Sequence, residues 1–320
     1  MVKTVNPYIY VSTVVRGAED RDMTGFFYKV DWRERKVIAQ TPVPRTCGPV
    51  FGSRGGSRGG RGLSFCDDLL YAATFDKLLV YDPEFRLQKS LMNPLAFGHH
   101  EIQVDGGGIW CCSTLIDAIL RLDRNGCCVD CVFLSEERSL MDAGARYVPR
   151  DRNRNYLAEA TSDTDSALFE EQFHLNTVTL QPGGELHAFA CATGDLLQIR
   201  PEVRVLATLP QLISGHNVQF VGDRLFANNT RARCFEIYER DDLSNPSKRL
   251  RIDDGAGASN QFATSGWIRG MCWLDENVLI VGSSPAQLIA IDVRCGRVLD
   301  RLILVDDVSH AVHGLCSAPN

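Results

Sequence analysis

Apolar and polar residues alternate in short runs along most of the chain, and glycine, asparagine and aspartate separate the runs. A period of two, with many β-branched and aromatic residues, predicts β-strands joined by tight turns. Long helical periodicity is nearly absent, and the strongly charged stretch 135–170 is the one place that favours helix. The pattern therefore predicts an all-β protein.

One order of four strands recurs along the chain. Five complete copies are found, at 61–92, 100–134, 176–209, 216–241 and 269–304. The third strand of a copy ends at a turn such as Tyr81-Asp82, Leu122-Asp123 or Ile291-Asp292. Four-stranded units repeating at about 40 residues are typical of the blades of a β-propeller.

The two ends of the chain supply a sixth unit. The C-terminal VHGLCSAPN matches only the first strand of a unit, and the N-terminal PYIYVSTVV, GFFYKVDW and KVIAQTPVP match the other three. Pairing these ends removes exposed edge strands, which favour aggregation. We therefore predict a single domain over 1–320, a six-bladed β-propeller with four-stranded blades, closed by the C-terminal strand pairing with the N-terminal strands. A β-sandwich competes, but it does not explain the shared unit.

Two segments interrupt the repeat. Residues 52–62, GSRGGSRGGRG, have no side chain suited to a core and predict a flexible Gly/Arg loop. An RNA-binding RGG segment and a lid closing Arg54 and Arg58 over an anionic ligand are the alternatives. The stretch 135–170 lengthens the spacing between two units, which predicts an insertion over one face of the ring.

Composition limits the partners. The chain has 34 basic and 40 acidic side chains, a net charge of −6, which argues against nucleic-acid and membrane binding. No signal peptide or membrane span is evident, so we expect a cytoplasmic protein whose 12 cysteines are reduced thiols. Cys127-Cys128-Val129-Asp130-Cys131 has C-x2-C spacing, but no second pair follows, and a turn is favoured over a zinc site.

Most histidines share one place in the repeat. Six of the seven lie at or just before the first strand of a unit. They are His99, His100, His174, His216, His310 and His313. The first strand of each propeller blade lines the central channel, so His100, His174, His216 and His313 are predicted to converge there. Arg61 and Arg269 open the two remaining units, and Asn176 or Thr177 is an alternative channel position in the unit that follows His174.

Converging imidazoles suggest chemistry on a small molecule. Neutral imidazole binds iron, copper or zinc, so the leading hypothesis is a divalent metal ion held by the four histidines. Arg61 and Arg269 would assist catalysis electrostatically and, with Asn176, would bind an anionic substrate. Glu101 would move a proton, and the reaction would be of lyase, oxygenase or hydrolase type. The alternatives are metal-free group transfer or lyase chemistry by the same histidines, and a non-catalytic propeller that binds a partner.

Short motifs resemble two propeller families. FHLNTVTLQPGGELHAFACATGDLLQI (173–199) and GHNVQFVGDRLFANN (215–229) resemble repeats of arylsulfotransferase-like propellers. HEIQV with GGIWCCST (100–114), FHLNTV and WIRGMCWLDENVLIVGSS (267–284) resemble a bacterial six-bladed propeller family without an assigned activity. The first resemblance implies that His174 and His216 occupy substrate-binding or sulfuryl-handling positions.

Overall fold

A computed structural model describes residues 6–18, 24–46, 59–161, 169–252, 259–261 and 263–318. Within these residues, 24 strands form six antiparallel four-stranded sheets. The innermost strands of successive sheets contact one another around a ring, so each sheet is one blade of a propeller. The predicted six-bladed fold is confirmed.

The blades are numbered from the one that holds both chain ends, and each is given from its innermost strand outwards. Blade 1 contains β24 (His310–Ser317), β1 (Tyr8–Val15), β2 (Phe26–Asp31) and β3 (Lys36–Pro42). Blade 2 contains β4 (Leu63–Cys66), β5 (Leu69–Ala73), β6 (Leu78–Tyr81) and β7 (Leu87–Leu91). Blade 3 contains β8 (Ile102–Asp105), β9 (Gly108–Ser113), β10 (Ala118–Leu122) and β11 (Cys128–Phe133).

The remaining blades have the same order. Blade 4 contains β12 (Leu175–Leu180), β13 (Leu186–Ala190), β14 (Asp195–Arg200) and β15 (Arg204–Thr208). Blade 5 contains β16 (His216–Val221), β17 (Arg224–Asn229), β18 (Cys234–Glu239) and β19 (Lys248–Arg251). Blade 6 contains β20 (Arg269–Trp273), β21 (Val278–Ser283), β22 (Ala286–Asp292) and β23 (Arg297–Val305).

Blade 1 closes the ring as the sequence predicts. The strand β24 pairs antiparallel with β1, from Ile9 opposite Ser317 to Val15 opposite His310. The amide of Gly314 also donates to the hydroxyl of Ser12 at 2.9 Å, joining residues 302 positions apart. The first strand of the repeat therefore comes from the end of the chain and the other three from its beginning.

Aspartates at the ends of third strands form the predicted turns. The Asp82 carboxylate accepts from the amides of Glu84 and Arg86, and Asp123 accepts from Asn125 and Cys127 in the same way. A carboxylate that bonds to nearby backbone N–H groups stabilises a tight turn. These contacts explain why the motif recurs from blade to blade.

The fourth strand of blade 5 lies beyond the predicted unit. The predicted copy ends at residue 241, whereas β19 begins at Lys248, after a loop over 240–247. This outermost strand reads Lys-Arg-Leu-Arg and is partly exposed, so it carries little apolar alternation. The predicted boundary is wrong because an outer strand has one solvated face.

The stretch 135–170 connects blades 3 and 4. It contains the helices α1 (Arg138–Asp142) and α2 (Tyr156–Thr161), while residues 162–168 lie outside the described residues. Leu157 donates its amide to the Pro94 carbonyl at 3.0 Å, on the connection that leads into β8. Every helix among the described residues is far shorter than a membrane span.

The predicted Gly/Arg loop ends in a buried segment. Residues 52–58, including Arg54 and Arg58, lie outside the described residues, but residues 59–62 are buried. A Cβ on Gly59 would lie 2.2 Å from the Thr24 carbonyl oxygen, and the Gly60 amide donates to Thr13. These glycines therefore permit close backbone packing against blade 1, and the expectation that such a composition buries nothing fails for 59–62.

Candidate functional site

Bulges interrupt the inner strands at the end of the channel where those strands begin. His313 is the extra residue between β24 and β1, Asn176 is the extra residue in β12, and Gly270 is the extra residue in β20. The register of β16 also shifts by one residue, within His216–Gln219. A bulge re-aims neighbouring side chains and is common beside active sites. Four of the six inner strands are thus irregular at the same level of the ring.

The four predicted histidines lie together at this level. The ring centroid of His100 is 5.0 Å from that of His174, 6.0 Å from that of His216 and 5.3 Å from that of His313. The His216 and His313 centroids are 6.2 Å apart. His100 therefore occupies the middle of the group, and the other three surround it.

Three of these histidines line a cavity of about 580 Å³. Its wall includes His100, His174, His216, Arg269, Glu171 and Trp267. His313 and Arg61 are not on this wall, and both are buried. The predicted group thus divides into residues that face the cavity and residues that lie behind it.

Arg61 contacts His313 behind the cavity. Its Nη1 lies 2.8 Å from His313 Nε2, and a guanidinium only donates, so Nε2 is the acceptor. Neutral His313 therefore carries its proton on Nδ1. Burial, and next the charge of Arg61, hold the pKa of His313 well below its ordinary value.

His216 is held in the opposite tautomer. Its Nδ1 lies 3.1 Å from the Ser214 carbonyl oxygen, so Nδ1 donates and Nε2 is unprotonated. The Thr230 hydroxyl, 3.0 Å from the same nitrogen, donates to the Ile268 carbonyl. Burial and the nearby Arg269 hold the pKa of His216 well below its ordinary value, which keeps the ring neutral.

His174 pairs with a carboxylate that was not predicted from the sequence. Its Nδ1 contacts Glu171 Oε1, and both residues line the cavity. His174 adopts a left-handed conformation with φ of 50°. The signal was an acidic residue three positions before the histidine, in a stretch whose many charges concealed it.

Asp117 anchors the segment that carries this pair. Its carboxylate accepts from the amides of Gln172 and Phe173 at 2.6 and 3.0 Å, and burial raises its pKa to about 7. The Thr114 hydroxyl donates to the Leu175 carbonyl at 2.7 Å. The second-to-third strand connection of blade 3 therefore fixes the entry into blade 4.

His100 has no hydrogen-bond partner for either ring nitrogen among the described residues, although both nitrogens are buried. Burial, and next the charge of Arg61, hold its pKa well below the ordinary value, so the ring is neutral. A buried polar group without a partner is costly, and one facing a cavity is suited to contact a ligand.

Glu101 lies in a different cavity from the histidines. This second cavity, of about 210 Å³, is lined by the inner strands further along the channel, including Glu101, Asn217 and Thr179. Asn217 Nδ2 donates to Glu101 Oε1 at 3.0 Å, and burial raises the pKa of Glu101 to about 8. The structure therefore does not bring Glu101 to the wall of the histidine cavity.

Asn176 also has another role than the predicted one. Its Nδ2 donates to the Gly215 carbonyl at 2.5 Å, and its Oδ1 accepts from Thr177. The side chain is buried between blades 4 and 5 and is not on the cavity wall. Its bonds join neighbouring blades, whereas Arg269 does line the cavity as predicted.

Trp267 forms part of the cavity wall. The Arg16 guanidinium lies 5.2 Å from its ring centroid, which is a cation–π distance. The cavity therefore combines one aromatic wall with a cationic and imidazole-lined interior.

The imidazoles do not form a ready ligand set. Over the described residues, no three His, Cys, Asp or Glu side chains are grouped in a way that would hold a metal ion. His313 Nε2 already accepts from Arg61, which removes that nitrogen from coordination. The predicted divalent-metal centre is thus left as a prediction.

Comparisons with known proteins agree on the fold. No family model and no curated protein matches the chain. A solved protein of unknown function from Bacteroides caccae is similar, with a TM-score of 0.60 and 11% identity, over 98% of this chain and all of that one. A chain of a nidogen/laminin complex has a TM-score of 0.56 and 10% identity, over 97% of this chain and 98% of that one.

A virginiamycin B lyase from Staphylococcus aureus, solved with quinupristin, has a TM-score of 0.49 and 9% identity, over 78% of this chain and 72% of that one. At these identities the likeness to the first two structures supports the propeller fold and says nothing about activity. The resemblance to arylsulfotransferase-like propellers is not shown by them. The likeness to the first structure, a protein of unknown function, agrees in fold with the resemblance to propellers of unassigned activity.

Proposed function

We propose that this propeller is an enzyme that binds a small anionic molecule in the histidine cavity, with His174 for acid–base chemistry and His216 as a hydrogen-bond acceptor for the substrate. The observation that carries the proposal is the placement of both rings on the wall of one cavity, beside Arg269 and Glu171. The Ser214 carbonyl accepts from His216 Nδ1 and leaves Nε2 as the basic nitrogen, and His174 Nδ1 is in ion-pair contact with Glu171. An imidazole beside a carboxylate and Arg269 forms a site where protons can be moved.

Charge favours an anion in this cavity. Arg269 is on the wall, and Arg61 and Arg16 lower the pKa of nearby histidines, which places their positive charges close by. The carboxylate on the wall, that of Glu171, is paired with His174. The neutral rings add hydrogen-bonding groups without adding charge. Guanidinium groups recognise carboxylate, phosphate and sulfate, so these are the substrate groups we expect.

The role of each ring depends on its neighbours. His174 takes the proton, because the Glu171 carboxylate stabilises the imidazolium that forms. His216 stays neutral beside Arg269 and accepts a hydrogen bond from the substrate. Arg269 stabilises negative charge that develops in the transition state. Elimination and transfer of an acyl or sulfuryl group are the reaction classes these roles serve.

A direct test measures anion binding through tryptophan fluorescence. We expect benzoate and phenyl phosphate to quench the wild-type protein, and Trp267→Phe to lose most of this response. Arg269→Gln should weaken binding by about tenfold or more, the scale of a charge-assisted hydrogen bond. Arg297→Gln, on the exposed outer strand β23, is the matched control. Equal affinity in Arg269→Gln and wild type contradicts the proposal.

A metal centre is the second candidate, favoured by the close packing of His100 with His174 and His216. Those three rings would hold the ion after rotation, and it would act as a Lewis acid or activate water. Elemental analysis of untagged protein, with His216→Ala and His313→Ala, tests this. One equivalent of iron, copper or zinc, lost in His216→Ala and kept in His313→Ala, supports it. No metal after reconstitution contradicts it.

The non-catalytic alternative has less support. Its expected sign is a set of exposed aromatic side chains on one face of the ring. Among the described residues, Tyr147 is the aromatic side chain that is largely exposed, while residues such as Leu87, Leu299 and Ile303 are scattered over outer strands. Scattered apolar side chains are normal on a protein surface. The convergent histidines therefore give the stronger functional signal.

A further inference from the structure

Two thiols lie side by side on the outer strand of blade 3, away from the histidine cavity. Side chains alternate along a strand, so positions 128 and 131 would normally face opposite sides of the sheet. The pairing of β10 with β11 is bulged here, since Leu122 is opposite Cys128 and Arg121 is opposite Asp130. The extra residue, Val129, brings Cys128 and Cys131 to one side.

Packing supports this orientation. Cys131 and Phe133 belong to the apolar cluster between blades 2 and 3, and Cys128 packs against the same cluster. Val132, the residue between them, belongs to the cluster between blades 3 and 4. Each thiol also shifts the pKa of the other, as neighbouring side chains do. The C-x2-C spacing is therefore a pair in space as well as in sequence.

The two thiols differ in access and acidity. Cys128 is partly exposed, whereas Cys131 is buried. The interaction with Cys131, followed by the backbone of Asp130 and the charge of Arg152, lowers the pKa of Cys128 to about 7. The same interaction and burial raise the pKa of Cys131. An accessible thiolate beside a protonated thiol is the usual arrangement of an attacking and a resolving cysteine.

We propose that Cys128 and Cys131 form a peroxide-sensitive redox site that closes reversibly into a disulfide. The Cys128 thiolate attacks one oxygen of hydrogen peroxide, the O–O bond breaks, and hydroxide leaves as water after taking a proton. The sulfur, oxidised by two electrons, is then a sulfenic acid. Cys131 sulfur attacks it, the S–O bond breaks, and the hydroxyl leaves as water with the Cys131 proton. Two thiols and one peroxide thus give one disulfide and two waters.

Peptide mapping of the full-length protein tests the site, because trypsin cleavage after Arg124 and Arg138 isolates Cys127, Cys128 and Cys131 on one peptide. After peroxide and alkylation, we expect this peptide to have lost two hydrogen masses and to carry one alkyl group, on Cys127. Dithiothreitol should restore three alkylation sites. A peptide that keeps three free thiols while exposed Cys295 is oxidised overturns the proposal.

Single variants separate the roles. Cys131→Ser should stop at a sulfenic acid that dimedone traps, and Cys128→Ser should slow peroxide consumption at this peptide by about tenfold or more. The matched control is Cys127→Ser, the exposed neighbour, which should still form the disulfide. Loss of the disulfide in Cys127→Ser, or equal rates in Cys128→Ser and wild type, contradicts the assignment. None of these outcomes depends on activity in the histidine cavity.

Discussion

Two cavities lined by described residues lie at different levels of the channel and differ in their chemistry. The first lies where the strands begin and contains three imidazoles, Arg269 and Trp267. The second lies further along and is lined mainly by amide, hydroxyl and thioether or thiol side chains around Glu101. Of the two, the first holds the cationic wall and the oriented bases, and the second holds a carboxyl group with a raised pKa.

The difference shows which part of a regular repeat can carry a functional site. Bulges occur in four inner strands at the level of the histidines, and their backbone groups are bonded by side chains of neighbouring blades. Asn217, for example, accepts from the Gly270 amide at 2.8 Å. Irregular strand ends re-aim side chains while such bonds retain rigidity. The regular part of each strand instead serves packing between blades.

Loss of the His174 ring should give the largest effect. With nitrophenyl acetate or nitrophenyl sulfate as the substrate, His174→Gln should lower kcat by about 100-fold or more and change KM less, since a general base is removed. The control is His187→Gln on β13, because His187 Nε2 lies 3.3 Å from Glu185, outside the cavity. Equal losses of kcat in the two variants would show that the reaction does not depend on the histidine cavity.

Packing at the bulged level should be intolerant of a single added carbon. A Cβ on Gly314 would lie 2.2 Å from the Arg61 carbonyl oxygen, which is backbone and cannot rotate away. We expect Gly314→Ala to lower the free energy of unfolding by about 3 kcal/mol in urea titrations. Gly183→Ala, where a Cβ meets nothing within 4 Å, should change it by less than about 0.5 kcal/mol. Similar small changes in both would mean this level is loosely packed.

The two cavities should respond to pH with opposite signs. His100, His216 and His313 have folded pKa values below 6.5, so the unfolded chain binds more protons and stability falls as pH drops below about 6.5. Glu101 has a folded pKa of about 8 instead of 4.5, so stability falls as pH rises between those values. Each group contributes at most about 1.4 kcal/mol per pH unit.

Urea midpoints measured between about pH 5 and 9 would reveal both slopes. The variant Glu101→Gln should flatten the fall in stability between about pH 6.5 and 8, because the amide does not titrate. It should steepen the acid slope below about 6.5, where the Glu101 contribution opposes that of the histidines. An acid slope that disappears with Glu101→Gln would show that the two cavities titrate as one coupled site.

The smallest expected effect concerns the support of His216. Thr230→Val removes the hydroxyl that lies between His216 Nδ1 and the Ile268 carbonyl, while the Ser214 carbonyl still holds the ring. We expect a loss of about 1 kcal/mol in the free energy of unfolding, typical of one hydrogen bond. Thr208→Val, at an exposed hydroxyl bonded to Asp195, should lose less. A larger loss at Thr208 would argue against tight support of the ring.

Sequence alone predicts the ring and the level of its histidines, because turn aspartates and first-strand positions recur in each blade. It does not predict which side chains at that level face the cavity. A one-residue bulge re-aims the side chain of Asn176, which bonds to the neighbouring blade. Glu101 directly follows His100 in the chain, but its side chain bonds to Asn217 in the second cavity. Glu171 was missed because it stands among many charged residues, where no pattern marks the carboxylate that contacts His174.

The joining of β24 to β1 also determines when the site can exist. Contacts such as Gly314 to Ser12 close a loop of 302 residues, which costs about 5 kcal/mol of chain entropy by the usual logarithmic law. Blades 2 to 6 each need only local pairing, so blade 1 is the natural last step of folding. His313 sits on that strand. In a circularly permuted chain, the present ends would be linked and the new ends would lie in the loop over 240–247. The strands β24 and β1 would then form a hairpin, so the histidine group would assemble early.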